Sequence, residues 1–304
     1  MSDPIKLALL GKDLRHSVSS ELHQLLLSTY HLAEFQAMQD RPLSYELVDC
    51  EAECDVAQWI KTAPANGFVG ANVTRPYKEL AHRLATRSSE SAELCDSVNT
   101  LAFFDGDVVG ESTDGTGLLF AMRRELGDID LSGMDWYVYG FGGAARSCLV
   151  RLLEVFQPRS LSILVRNAEN VADSANEILQ TTGHWSVPIQ VFPFESVIAG
   201  DNLGSKFVLQ TTPLGQEGYA SSDFSMIGWQ QGDIAIDLVY NPLKTAFVNT
   251  AQRQGAMTMG GLGMLIEQAA LSQCFWFTGR LPPESILTND EYLSIKSALS
   301  GLLA

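Results

Sequence analysis

The stretch 136–145 reads Trp-Tyr-Val-Tyr-Gly-Phe-Gly-Gly-Ala-Ala, an apolar run that leads into a glycine-rich turn. A helical pattern follows, and a second apolar run at 161–165 completes a β-α-β unit. The spacing G-x-G-x-x-A is typical of a turn that binds a dinucleotide. Gly140 permits the tight turn and Gly142 lets the backbone approach a pyrophosphate, which the helix N-terminus then favours. The alternative is a tight strand–helix turn without a ligand.

The second strand of this unit ends at Leu164-Val165-Arg166-Asn167. An Asp or Glu at this tip is typical of NAD sites, because it binds the ribose hydroxyls. A guanidinium suits the 2′-phosphate of NADP instead. Arg166 therefore favours NADP, while the nearby Glu169 leaves NAD open.

Short β-rich runs alternate with helical patterns along the whole chain. The runs that predict strands are 6–10, 68–73, 98–104, 136–139, 161–165, 207–210 and 234–238. The patterns that predict helices are 21–30, 76–85, 117–126, 144–156 and 262–277. This alternation predicts an α/β protein with mostly parallel sheets.

Two domains are expected in a chain of 304 residues. The polar stretch 127–135 precedes the strand that opens the new β-α-β unit. We therefore predict an N-terminal α/β domain over 1–116 and a Rossmann-type dinucleotide-binding domain over 117–261. The helices of 262–304 have no further strands to cover, so we expect them to return and complete the N-terminal domain.

The segment 70–79, Gly-Ala-Asn-Val-Thr-Arg-Pro-Tyr-Lys-Glu, joins a predicted strand to a predicted helix. Pro76 fits the first helical turn, since its missing N–H would be unpaired there. Lys78 then lies near the positive end of the helix dipole, where a cation loses its proton more readily and can take part in proton transfer. An ordinary surface lysine is the alternative, against which the polar Asn72 and Thr74 beside it argue.

Asp114 precedes another helical pattern, where it can serve as a helix N-cap, as a partner for Lys78, or as both. An ionised Asp near the lysine would favour its protonated form and oppose the dipole. The serines of His16-Ser17-Val18-Ser19-Ser20 either cap a helix or bind a carboxylate. Neither choice follows from the residues alone.

The formal net charge of −16 excludes nucleic acid and anionic membranes as expected partners, because both would repel the chain. No apolar run approaches the roughly 18 residues of a membrane helix, and the N-terminus does not resemble a signal peptide. The five cysteines are scattered, so we expect reduced thiols, a cytoplasmic protein and no metal site. A small anionic substrate remains compatible with the charge.

Seven segments, in order, resemble motifs of the shikimate dehydrogenase family. They are HSVSS (16–20), GANVTRPYKE (70–79), SVNTL (97–101), GESTDGTG (110–117), GFGGAAR (140–146), DLVYNPLKTAF (237–247) and GGLGMLIEQAA (260–270). The last two are the most specific to the family.

The resemblance implies the NADPH-dependent, reversible reduction of 3-dehydroshikimate to shikimate by hydride transfer. It implies that Lys78 and Asp114 are the catalytic pair. The implied substrate-binding residues are Ser17, Ser19, Asn72, Thr74, Asn99, Tyr240 and Gln268. The implied cofactor-binding residues are Glu90, Gly140, Gly142, Gly143, Ala144, Arg166, Leu238 and Gly261. We expect a monomer or a homodimer.

Several positions depart from the family pattern. Val18 and Ser20 replace Lys and Pro, Glu111-Ser112 replaces Asp-Asn, and the basic adenosine loop is reduced to Val165-Arg166-Asn167. These departures leave a quinate or quinate/shikimate dehydrogenase, with NAD open as its coenzyme, as an alternative. A non-catalytic dinucleotide-binding paralogue is a further alternative.

Overall fold

The computed structural model describes residues 3–30, 35, 38–39, 41–169, 171–194, 196, 204–219, 224 and 227–303. The chain divides into two compact units. Unit 1 comprises Met1–Gly117 with Ile266–Leu299, and unit 2 comprises Leu118–Leu265 with Ser300–Ala304.

Unit 1 contains a six-stranded mixed sheet. Its strands are β1 (Ile5–Gly11), β2 (Leu43–Asp49), β3 (Phe68–Val73), β4 (Arg87–Ser88), β5 (Thr100–Phe104) and β6 (Asp107–Glu111), in the order β2-β1-β3-β5-β6-β4. β1 pairs in parallel with β2 and β3, whereas β5 is antiparallel to both of its neighbours. The two-residue turn Asp105-Gly106, with φ of 50° and 90°, makes β5 and β6 a hairpin.

Helices cover both faces of this sheet. They are α1 (Ser19–Thr29), α2 (Glu53–Thr62), α3 (Lys78–Leu84) and α4 (Glu90–Leu94), with a 3₁₀ helix at Pro64–Asn66. Alternate residues of β1 point to opposite faces: Leu10 packs with α2, α3 and α4, whereas Leu9 packs with α1 and with Trp276. Both faces of the strand are therefore buried.

Three further helices each have residues in both units. In chain order they are α5 (Asp114–Leu126), α9 (Leu262–Thr278) and α10 (Asn289–Leu302), and the helices numbered between α5 and α9 lie in unit 2. The part of α9 in unit 1 lies on the sheet, where the Trp276 indole donates to the carbonyl of Leu101 at 2.9 Å. Gly70 is required there, because a Cβ would collide with the Trp276 ring and the Leu101 carbonyl.

Unit 2 contains a six-stranded parallel sheet. Its strands are β7 (Asp135–Tyr139), β8 (Ser160–Val165), β9 (Ile189–Pro193), β10 (Lys206–Gln210), β11 (Ile234–Asp237) and β12 (Met257–Met259), in the order β12-β11-β10-β7-β8-β9. Its helices are α6 (Gly143–Leu153), α7 (Val171–Thr181) and α8 (Ala246–Arg253). The strand order reverses between β7 and β10, which is the switch point of a doubly wound sheet, where ligands bind at the carboxyl ends.

The predicted fold class, a two-domain α/β protein with a Rossmann-type sheet, is confirmed. The sheets are mostly parallel, as predicted, and only β5 runs antiparallel to its neighbours, because the Asp105-Gly106 hairpin reverses the chain. One detail of the sequence prediction was wrong. Pro76 lies before α3 rather than in its first turn: the Arg75–Pro76 peptide bond is cis, and the helix begins at Lys78 after Tyr77.

Candidate functional site

Lys78 and Asp114 form an ion pair in unit 1. The Nζ atom of Lys78 lies 2.5 Å from Oδ2 of Asp114, and the two side chains are only 14% and 6% exposed. Each is the first residue of its helix, α3 or α5. The carbonyl of Lys78 accepts from the Val98 amide at 3.0 Å, so the start of α3 is bonded to the residues just before β5. The chain then passes through the β5–β6 hairpin and reaches Asp114.

Asn99 holds the second oxygen of the same carboxylate. Its Nδ2 donates to Oδ1 of Asp114 at 3.1 Å and to the Thr113 hydroxyl at 2.9 Å. Its Oδ1 accepts from the Thr113 backbone amide at 2.8 Å, and this bond fixes which end of the amide faces the carboxylate. One oxygen of the Asp114 carboxylate therefore accepts from the neutral Asn99 amide, and the other is paired with the Lys78 amine.

Gln268 of α9 joins this cluster. Its Oε1 lies 3.3 Å from Nδ2 of Asn99, although 169 residues separate the two in sequence. The approach depends on Gly117, because a Cβ there would lie 2.8 Å from the backbone nitrogen of Gln268. Glycine at this position thus allows α9 to place an amide side chain beside the ion pair.

The serine loop before α1 is also in unit 1. The Ser17 hydroxyl donates to the Ser19 hydroxyl at 3.0 Å, and both residues are half-buried. The N-cap of α1 is Val18, with no side-chain capping bond, so the serines are not its N-cap. Thr74 follows β3 and packs its methyl group against Gly11.

Asn72 lies at the end of β3 beneath these residues and is buried. Its Oδ1 accepts from His23 and from Tyr45, each at 2.9 Å. Its Nδ2 donates to the Ser272 hydroxyl at 3.0 Å and to the Asn99 carbonyl at 3.3 Å. Asn72 therefore links the α1 side of the unit to the strand that carries Asn99.

Glu90, the predicted cofactor-side residue of unit 1, is the exposed first residue of α4. The preceding Ser89 caps the helix, with its hydroxyl accepting from the Ala92 amide at 3.2 Å. The same hydroxyl donates to the buried Glu111 carboxylate at 2.5 Å. Burial raises the pKa of Glu111, and the hydrogen bonds from Ser89 and Ser112 oppose that rise.

The glycine-rich turn lies at the carboxyl end of β7 in unit 2. Gly140 has φ of 90°, and a Cβ there would lie 2.7 Å from the Thr211 hydroxyl, so only glycine fits. Gly142 is the N-cap of α6, and no atom lies within 4 Å of the position its Cβ would take. Gly143 and Ala144 form the first turn of the helix.

Two further loops lie at the same edge of this sheet. Leu238 and Tyr240 follow β11, and Gly261 follows β12. The Gly261 amide donates to the Val239 carbonyl at 3.0 Å, and a Cβ on Gly261 would collide with the Leu238 carbonyl. Asp237, buried below this loop, accepts from Thr245 at 2.6 Å, and burial raises its pKa to about 6.

These features of unit 2 fit a dinucleotide. The open side of Gly142 lets a pyrophosphate approach the backbone, and the unpaired N–H groups at the start of α6 favour its charge. Arg166 is exposed just beyond the end of β8, where the 2′-phosphate of NADP is expected. The described residues contain no group of His, Cys, Asp or Glu suited to holding a metal ion.

Comparisons with known proteins identify the family of the chain. Residues 9–101 match the family described as the shikimate dehydrogenase substrate binding domain. The chain is similar to a shikimate dehydrogenase (NADP(+)) from Ruegeria sp. (strain TM1040), with 32% identity over 93% of this chain and 96% of the relative. The chain belongs to the shikimate dehydrogenase family.

Solved structures of shikimate dehydrogenases have the same fold. A crystal structure of one in complex with NADP+ has a TM-score of 0.79 at 25% identity, covering 99% of this chain and 96% of that one. The enzyme from Thermus thermophilus in complex with NADP(H) and shikimate has a TM-score of 0.72 at 26% identity, covering 97% of this chain and 99% of that one.

The structure brings together five of the family residues that the sequence singled out. In unit 1 hydrogen bonds join Lys78, Asp114, Asn99, Gln268 and Asn72, while Ser17, Ser19, Thr74 and Glu90 lie elsewhere in the same unit. In unit 2 lie Gly140, Gly142, Gly143, Ala144, Arg166, Leu238, Tyr240 and Gly261.

Sequence reasoning missed Thr113, His23, Tyr45 and Ser272. Thr113 was visible beside Asp114, but nothing in the sequence indicated that its hydroxyl would bond to Asn99. His23 lies in the apolar pattern of α1, and Tyr45 lies in β2, a strand that the sequence did not predict. In both places the sequence pattern indicates only an ordinary core residue.

No helix among the described segments has the length and apolar character needed to cross a bilayer.

Proposed function

We propose that this protein is a shikimate dehydrogenase that reduces 3-dehydroshikimate to shikimate with NADPH, and catalyses the reverse oxidation. The observation that carries the proposal is the ion pair between Lys78 and Asp114, with Asn99 on the other carboxylate oxygen. Family membership supports the same assignment. A dinucleotide-binding paralogue without activity would have no need of this arrangement.

Lys78 is assigned to the oxygen that changes between ketone and alcohol. As a protonated amine it donates a hydrogen bond to the carbonyl oxygen and gives it a proton as negative charge develops there. Asp114 holds the amine in place and accepts from the substrate hydroxyl. Asn99 fixes the carboxylate, so little reorganisation is needed at the moment of reaction.

The remaining substrate residues are assigned to binding. Ser17, Ser19 and Thr74 offer hydroxyl donors to the substrate carboxylate. Tyr240 is also assigned to the substrate. Asn99 and Gln268 offer amide groups to the ring hydroxyls. Asn72 is also expected at this site. These neutral donors suit a carboxylate in a chain whose formal charge is −16, since each bond is local and directional.

NADP is assigned to unit 2. Gly140, Gly142, Gly143 and Ala144 would hold the pyrophosphate, Arg166 the 2′-phosphate, and Leu238 and Gly261 the nicotinamide side. Glu90 is also assigned to the cofactor. When bound, the nicotinamide supplies the hydride for the reduction. The protein holds both reactants in position and shields them from water.

The predicted domains carry these roles: residues 1–116 with 262–304 bind substrate, and residues 117–261 bind NADP. A cytoplasmic location is part of the proposal, supported by five free cysteines. A monomer or a homodimer stays the expected assembly.

The proposal is tested by following absorbance at 340 nm with shikimate and quinate, each paired with NADP and NAD. We expect the largest kcat/KM for shikimate with NADP. Faster turnover of quinate, or no turnover with any pair, would contradict the proposal.

A further inference from the structure

The side-chain amide of Asn72 is held by two donors on its oxygen. His23 Nε2 and the Tyr45 hydroxyl each lie 2.9 Å from Oδ1. An amide oxygen has two lone pairs, so both are engaged. The NH₂ end must then face the opposite side, toward Ser272, Thr100 and Asn99.

The protonation of His23 is set by Gln273. The Gln273 amide nitrogen, which can only donate, lies 3.2 Å from Nδ1 of His23 and 2.8 Å from the His23 carbonyl. Nδ1 is therefore an acceptor, and the single ring proton sits on Nε2, where it faces Asn72. The ring is buried and stacked on Tyr45 with centroids 4.6 Å apart, so it has one orientation.

Tyr45 also lies beside the serine loop. Its hydroxyl donates to Asn72 at 2.9 Å, and the Ser19 side chain opposes the rise that burial causes in the pKa of this hydroxyl. Ser19 itself accepts from the Ser17 hydroxyl at 3.0 Å.

The other end of the amide reaches the ion pair. Asn72 Nδ2 donates to the Asn99 carbonyl and to the Thr100 hydroxyl, both at 3.3 Å. The side chain of Asn99 then donates to Asp114, which pairs with Lys78. Turning the Asn72 amide over would place its oxygen against these acceptors and repel Asn99.

We propose that His23 and Tyr45 are positioning residues for the dehydrogenase reaction, which fix the Asn72 amide and through it Asn99. The proposal rests on the proposed function. Neither residue touches the reacting atoms: each acts by donating one hydrogen bond to the same oxygen. A core role without positioning would leave turnover unchanged in a folded variant.

The first test compares two substitutions of His23. His23→Gln keeps an N–H donor near the place of Nε2, whereas His23→Leu fills similar space without a donor. We expect kcat for shikimate oxidation to fall roughly fivefold in the Leu variant, since about 1 kcal/mol of orienting energy is lost, and to recover in the Gln variant. Equal loss in both folded variants would overturn the proposal.

The second test compares Tyr45→Phe with Tyr30→Phe. Both hydroxyls are buried in unit 1, but that of Tyr30 has no hydrogen-bond partner among the described residues. We expect Tyr45→Phe to lower kcat roughly fivefold to tenfold and to raise KM for shikimate, with KM for NADP unchanged. Tyr30→Phe should match the wild type.

Melting temperatures of all four variants show whether each is folded. Wild-type kinetics for Tyr45→Phe in a folded protein would overturn the proposal, even if the Leu variant of His23 failed to fold. Absence of shikimate oxidation in the wild type is a different result, because it rejects the proposed function rather than the positioning roles.

Discussion

The Asn99 amide donates to Oδ1 of Asp114 at 3.1 Å and leaves Oδ2 for Lys78 at 2.5 Å. The two oxygens of one buried carboxylate thus have different partners, one neutral and one charged. The Thr113 backbone amide fixes the Asn99 side chain, which in turn fixes the Asp114 carboxylate. The lysine amine is therefore held in place, through Asp114, by the backbone around the β5–β6 hairpin and the start of α5. The reactive pair is therefore built on rigid elements rather than on a long loop.

Gly117→Ala should disturb substrate binding. The new Cβ would lie 2.8 Å from the backbone nitrogen of Gln268, which cannot move aside as a flexible side chain does. We expect KM for shikimate to rise about tenfold and the free energy of unfolding to fall by about 1–3 kcal/mol. Gly301→Ala, at a helical glycine with no atom within 4 Å, is the matched control. Unchanged kinetics in the Gly117 variant would show that Gln268 does not depend on this approach.

Gly142→Ala should affect cofactor binding without affecting folding. Its φ of −82° suits alanine, and no protein atom lies within 4 Å of the new Cβ. The affinity for NADP, measured by calorimetry, should fall at least about tenfold, because the methyl group occupies the space through which the pyrophosphate approaches. Gly140→Ala should instead lower the melting temperature, because φ is 90° there. If the Gly142→Ala variant kept the full affinity for NADP, the pyrophosphate would not bind against the backbone at Gly142.

His23 makes stability depend on pH. Burial lowers the pKa of His23 to about 3, well below the value near 6.5 expected in the unfolded chain. Between these values the unfolded state binds a proton that the folded state does not, so stability is complete above pH 6.5 and falls as the pH drops toward 3.

His23→Gln removes this dependence. From pH 7 to pH 5, urea unfolding should show the wild type losing about 2 kcal/mol relative to the Gln variant. The comparison cancels the contribution of the carboxylates, which both proteins share. Parallel pH profiles would mean that the pKa of His23 in the folded state equals its value in the unfolded chain.

Much of the fold could be predicted from the sequence, because the glycine turn and the segments that carry Lys78 and Asp114 are local patterns. The pairing of Lys78 with Asp114, which lie 36 residues apart, followed only from the family resemblance. β2 was missed because its burial pattern has no clean alternation, and β6 because Gly110 interrupts it, although Asp105-Gly106 signalled the hairpin.

The positioning network could not be predicted in the same way. Asn72 and Ser272 are 200 residues apart, and His23 and Gln273 are 250 apart, so no spacing rule connects them. Tertiary packing of α9 on the sheet brings them together. His23 also lies among Leu22, Leu26 and Leu27 on the buried face of α1, where the sequence indicates only a core position.

Arg166→Ala should change the preference between coenzymes. The guanidinium is exposed beyond β8, so its loss should not alter the melting temperature. We expect KM for NADP to rise about tenfold while KM for NAD stays the same, because only NADP carries the 2′-phosphate. Arg253→Ala, at an exposed arginine of α8 in the same unit, is the control. An equal effect on both coenzymes would remove Arg166 from the phosphate site.

The kinetics of Lys78→Ala test the central claim most directly. Turnover of shikimate and NADP should fall by about 10²–10⁴ with shikimate binding nearly unchanged, because the amine acts on the oxygen as its charge changes. Lys61→Ala, at an exposed lysine of α2, should keep wild-type turnover. Near-normal turnover in a folded Lys78→Ala variant would contradict the assignment of this lysine and, with it, the mechanism proposed for the ion pair.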